Sequence, residues 1–191
     1  MIPTAEARRI ARPGRGIATA LLASGGVALL MLRLTILGNP SAATLLAAAY
    51  VILGLVFVAV PGDGREEHRL GAVVVVAIGG VGLATASVAG GPPLPVAHGP
   101  QALWLGSLAA VSEEAFFRRF LYGRLIGYGA PAAIGVSALL FALVHVPAYG
   151  VAVFWVDLGA GMLLSWQRWA SGGWAAPAAT HVAANILAVI R

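Results

Sequence analysis

Glu113 and Glu114 stand side by side in a stretch that is otherwise apolar, with Arg118 four residues after the second. Further along, other polar groups interrupt apolar runs: His145, Asp157, and His181 with Asn185. Carboxylates and imidazoles accept and donate protons and ligate metals, and amides supply hydrogen bonds. A charged side chain near the centre of a bilayer costs about 3 kcal/mol on insertion scales. Two adjacent carboxylates there need a compensating reason.

The elements that carry these groups are membrane helices. Of the 191 residues, 60% are hydrophobic and 10% charged, with a mean hydropathy of +0.90. A soluble domain carries about 25% charged residues, so this chain cannot cover a water-facing surface. At about 20 apolar residues per crossing, the expected fold is all-α: a polytopic transmembrane helix bundle of about seven spans. They are expected near 17–37, 41–60, 70–89, 101–128, 131–147, 149–169 and 174–190. Three divisions follow: a basic N-terminus over 1–16, three spans and a Pro/Gly-rich loop over 17–100, and the polar-bearing spans over 101–191. No internal repeat is visible. The first apolar run is too long for a signal-peptide core and is read as a retained span.

All twelve basic residues are Arg, and Cys is absent. The latter excludes disulfides, thiolate ligands and a cysteine nucleophile. The net charge of +5 does not point to nucleic acid, because the arginines cluster at the ends of apolar runs. Counted by side, the N-terminal four, Arg65, Arg69, Arg118, Arg119, Arg124 and Arg168 fall together, leaving Arg33 and Arg191. Arg118 is the member that can instead turn inward to the glutamates. The positive-inside rule then sets the N-terminus in the cytoplasm of a cell membrane. The Ala, Gly, Val and Arg bias suggests a bacterial source.

At about 1.5 Å per residue, Glu113, His145, His181 and Asn185 fall within one slab of the bilayer. Three helices thus aim polar groups at one level. Glu114 and Arg118 share a helix face, as do His181 and Asn185, whereas Glu113 points about 100° away from Glu114. Plainer roles exist for each: His181 and Asn185 as interhelical hydrogen-bond donors, His145 as a cap beside Pro147, Glu114–Arg118 as a structural ion pair, and Asp157 as a packing residue. Glu113 has the weakest such account, because Arg118 cannot easily satisfy both carboxylates.

At these positions the chain resembles the CAAX-protease and bacteriocin-processing (CPBP, or ABI) family of intramembrane glutamic proteases. Its Glu-Glu-x-x-x-Arg motif stands as Glu113-Glu114-Ala115-Phe116-Phe117-Arg118, its Phe-x-x-x-His as Phe141 to His145, and its His-x-x-x-Asn as His181 to Asn185. The resemblance covers about 101–190, with a looser match at Ser171-Gly172-Gly173-Trp174. It implies an endopeptidase acting on membrane-associated peptides or proteins. Glu113 with His145 would activate water, His181 and Asn185 would bind the oxyanion, and Glu114, Arg118 and Phe141 would support them. It also implies no cofactor, although two Glu and two His are a set that can bind zinc. Two other classes use the same residues: a non-proteolytic scaffold or bacteriocin-immunity protein binding a peptide in the cavity, and a proton-coupled transporter, which would call for repeat symmetry.

Overall fold

The computed structural model describes residues 13–36, 41–60, 70–89 and 99–190, and among them every regular element is helical. In hydrocarbon no water satisfies peptide groups, so apolar runs of Ala, Leu and Val close their hydrogen bonds within themselves. Seven rods result. The first is α1 (Pro13–Met31) with the single turn α2 (Arg33–Ile36); α3 (Ala42–Ala59) and α4 (Ala72–Ala89) follow. The fourth is α5 (Pro100–Glu114), a π-helical segment (Ala115–Leu121), α6 (Tyr122–Leu125) and a 3-10 turn (Ile126–Tyr128). The last three are α7 (Ala130–Tyr149), α8 (Phe154–Ser171), entered through a 3-10 turn over Val151–Val153, and α9 (Ala175–Ile190). By length and composition, Gly16–Ile36, Ala42–Ala59 and Ala130–Tyr149 are each sufficient to cross a membrane.

The surface is inverted relative to a water-soluble protein. Ile17, Leu55, Val73, Val81 and Trp155 face outward, while Arg33, Glu113, Glu114, Arg118, Gln167 and Arg168 are buried. Lipid suits the first set, and only a protein interior suits the second.

Four features differ from those expected. The first span breaks at Leu32, between α1 and α2. The fourth helix does not keep one winding. Helix α7 passes through Pro147 and stops at Gly150, whose φ of 87° permits the reversal; neighbouring helices make an interior proline tolerable in a membrane. The basic N-terminus expected over 1–16 already contributes helix from Pro13.

Helix α5 lies between α3 and α9, α7 packs along α8, and α4 covers α8 and α9. Gly161 marks a close crossing of α7 and α8: a Cβ there would lie 2.9 Å from the Ala138 Cα. Phe116, Phe117 and Phe120 of the π segment form a buried aromatic core with Phe57 and Phe141, with Phe57–Phe116 and Phe117–Phe141 ring centroids 4.8 and 5.3 Å apart.

Several chain ends meet at one end of the bundle. The Leu70 N–H donates to the Ala170 carbonyl at 2.9 Å, and Arg119 donates to the Phe57 and Val60 carbonyls that end α3. Arg118 turns inward, and Arg168 is buried with its Nε donating to the Arg118 carbonyl at 3.2 Å. Arg8, Arg9, Arg12, Arg65, Arg69 and Arg191 lie outside the described residues, as do residues 37–40 and 90–98.

Candidate active site

Local chemistry brings the two glutamates into the core. Just before them, the Ser112 hydroxyl is shared between the Leu108 carbonyl of its own helix, at 2.8 Å, and the Tyr50 carbonyl of α3, at 2.7 Å. That clasp fixes the rotation of α5, and with it the directions of Glu113 and Glu114. Immediately after them the helix widens into its π segment, a form concentrated at functional sites. Side chains take up carbonyls of the widened turn: Ser137 donates to the Phe117 carbonyl at 3.1 Å, and Arg168 to that of Arg118.

The two carboxylates have separate surroundings. Glu114 is fully buried; its Oε1 accepts from Arg118 at 3.0 Å and faces the His181 Nδ1 at 2.9 Å. Arg118 also donates to the Gly161 carbonyl at 3.2 Å, and its guanidinium lies 4.5 Å from the Phe141 ring centroid. A single arginine therefore ties α5, α7 and α8 together around Glu114.

Glu113 makes looser contacts. Its Oε2 lies 3.7 Å from the His145 Nε2 and 4.0 Å from the His181 Nε2. The His145 Nδ1 is 2.7 Å from the Phe141 carbonyl, one turn earlier on α7. A carbonyl only accepts, so Nδ1 carries a hydrogen, and in the neutral ring Nε2 is then the acceptor facing Glu113. At 3.7 Å the two atoms are beyond direct hydrogen-bond distance, and a water placed beside the pair could reach both. The arrangement can hold a water and accept its proton.

Phe141 is the shared wall, with its ring centroid 4.6 Å from that of His145 and 5.7 Å from that of His181. The Asp157 Oδ2 lies 3.9 Å from the His145 Nδ1, so α8 reaches the same cluster. Asn185 sits one turn beyond His181, and its Nδ2 donates to the Gly106 carbonyl of α5 at 2.9 Å. That bond joins α9 to α5 two turns before Glu113, beside the ion-pair cluster rather than within it. Among the described residues no group of three or more His, Asp or Glu is placed to hold a metal ion.

Two residues here were not anticipated. Arg33, set aside when the arginines were counted by side, is buried with its Nη1 3.7 Å from the Glu113 Oε1. The signal was available: an arginine well inside an apolar run carries the same insertion cost that drew attention to the glutamates. Gln167 was also passed over; it donates to the Val75 carbonyl and the Thr180 hydroxyl, each at 2.9 Å, and joins α8 to α4 and α9.

Residues 95–187 match a family model described as type II CAAX prenyl endopeptidase Rce1-like. The match takes in Glu113, Glu114, Arg118, Phe141, His145, His181 and Asn185, and leaves out Arg33. No curated protein and no solved structure matches the chain.

Proposed function

From the premise that residues 95–187 belong to the Rce1-like family of type II CAAX prenyl endopeptidases, we propose that this chain is a membrane-embedded endopeptidase that hydrolyses peptide bonds with a glutamate- and histidine-activated water. Proteolysis is the family's activity; the residue roles are our reading. The observation that carries them is the 3.7 Å gap between the Glu113 Oε2 and the His145 Nε2.

A water beside that pair gives one hydrogen bond to the carboxylate and one to the imidazole. Glu113 takes the proton as the water oxygen attacks the scissile carbonyl, and the same proton then passes to the departing amine. Excess negative charge develops on the former carbonyl oxygen, where preorganised donors lower the barrier. His181 is one donor: Glu114 holds its Nδ1, and when the ring is protonated it offers Nε2–H. Asn185 is the other. Its Nδ2 has two hydrogens; the Gly106 carbonyl orients the amide through one, and the second serves the oxyanion. Glu114 and Arg118 hold His181, and Phe141 shields the cluster from solvent.

In this reading no metal takes part, the substrate is a membrane-associated peptide or protein, and the lipid bilayer is a further partner. The enzyme sits in a cell membrane with a cytoplasmic N-terminus. The test uses purified chain in lipid vesicles with a prenylated CAAX-type peptide. Wild type cleaves it, with or without a chelator. Glu113→Gln keeps the fold and the shape of the site but loses about 10²–10⁴ in kcat. Cleavage by folded Glu113→Gln at the wild-type rate would eliminate the assigned base. Loss of activity together with one bound zinc per chain would recast the histidines as ligands. A cellular phenotype that survives Glu113→Gln would favour a scaffold.

A further inference from the structure

Arg33 stands outside the region that matches the family, yet its side chain ends at the catalytic carboxylate. It is 4% exposed and lies within the apolar stretch Gly16–Ile36, where an unbalanced charge is costly. It heads the single turn α2, just past the break at Leu32. From there its Nη2 donates to the Val144 carbonyl at 2.5 Å, its guanidinium lies 5.4 Å from the Tyr149 ring centroid, and its Nη1 is 3.7 Å from the Glu113 Oε1. Each contact crosses from the first rod to α5 or α7.

The two oxygens of Glu113 therefore face different partners, Oε1 toward Arg33 and Oε2 toward the two imidazoles. The carboxylates are also matched unequally to cations. Glu114 meets Arg118 at hydrogen-bond distance, 3.0 Å, whereas Glu113 meets Arg33 across 3.7 Å. A direct charge-assisted hydrogen bond ties up an oxygen lone pair. A cation set back by most of an ångström balances the charge and leaves the oxygens free to accept a proton. The tight pair suits a structural carboxylate and the loose pair suits a base.

We propose that Arg33 is the positioning residue of Glu113: it turns Oε2 toward the water site and balances the carboxylate, so that the first rod completes the active site. This rests on the reading of Glu113 as the base. Its bond to Val144, one residue before His145, sets both halves of the water site from one guanidinium.

The experiment compares wild type with Arg33→Gln, Arg33→Lys, Glu113→Gln and the double variant Arg33→Gln/Glu113→Gln in vesicles, reading kcat, KM and thermal midpoint. Arg33→Gln is expected to lower kcat by about 10²-fold, the usual loss for a misplaced reacting group, with KM little changed. Arg33→Lys, which restores the charge without the planar fork, recovers activity to within about tenfold of wild type. The double variant melts above Arg33→Gln, because both charges have gone together, and its residual rate equals that of Glu113→Gln. Wild-type kcat in Arg33→Gln while Glu113→Gln is inactive overturns this inference and leaves the base standing. Wild-type activity in Glu113→Gln overturns the base itself. If Arg33→Gln does not fold, the double variant decides: it folds if charge balance is the role, and failure there makes Arg33 only an anchor for Val144 and overturns the proposal.

Discussion

Removing Arg118 tests how the centre of the bundle is held together. Its side chain is fully buried, hydrogen-bonded to the Glu114 carboxylate and the Gly161 carbonyl, and packed on the Phe141 ring. Arg118→Met keeps most of the volume and deletes the charge, leaving Glu114 in the core with only His181 to answer it. Breaking one side of a buried ion pair costs about 3–5 kcal/mol. His181 remains 2.9 Å from the carboxylate and can carry a balancing proton, which puts the expectation at the lower end, about 3 kcal/mol. For a chain of this size that is a fall of about 6–12 °C in thermal midpoint. Replacing both partners, as Glu114→Leu/Arg118→Met, removes the stranded charge, and a well-packed apolar pair is often no less stable than the ion pair. The double variant should therefore regain most of the lost midpoint in vesicles while cleavage stays lost, because His181 has no group to hold its Nδ1–H. A double variant as unstable as Arg118→Met would refute this account and move the cost to the Gly161 carbonyl and the Phe141 contact.

Asn185→Ala should lower kcat by about 10²–10³-fold, the usual effect of losing one oxyanion donor; an unchanged kcat with a small drop in thermal midpoint would reduce Asn185 to its bond with Gly106. Gly161→Val pushes α8 away from Ala138 and withdraws the carbonyl that Arg118 uses, so a loss of about 1–3 kcal/mol in a thermal melt should come with reduced cleavage. Reporter fusions at Arg65 and Arg168 should both report cytoplasm; an external signal at either contradicts the topology with seven crossings.

Much of the architecture was legible because hydrocarbon leaves the backbone few options. Long runs of Ala, Leu and Val between breaks such as Pro61-Gly62 and Ser171-Gly172 point to helices whatever their neighbours are. The breaks inside the rods were less legible. Nothing in Ala115–Leu121 announces a π segment; its widened turn depends on Ser137 and Arg168 reaching its carbonyls. Pro147 reads as a stop and instead lies within α7, because inside a bundle the surrounding helices, more than the local residue, decide whether the rod continues.

The candidate site divides in the same way. Residue type, spacing and cost of burial marked Glu113, Glu114, Arg118, His145 and His181 as polar groups that must converge, since lipid offers each of them nothing to bond. Which carboxylate meets which partner was beyond those cues. Adjacent glutamates differ by about 100° around the helix, and only the packing of α5 against α7 and α9 gives Glu114 to Arg118 and His181, and turns Glu113 toward His145. The same limit explains Arg33. Its burial cost was written in the chain, but its partner lies 80 residues away, and a pairing at that separation is settled only when the first rod docks against α5 and α7.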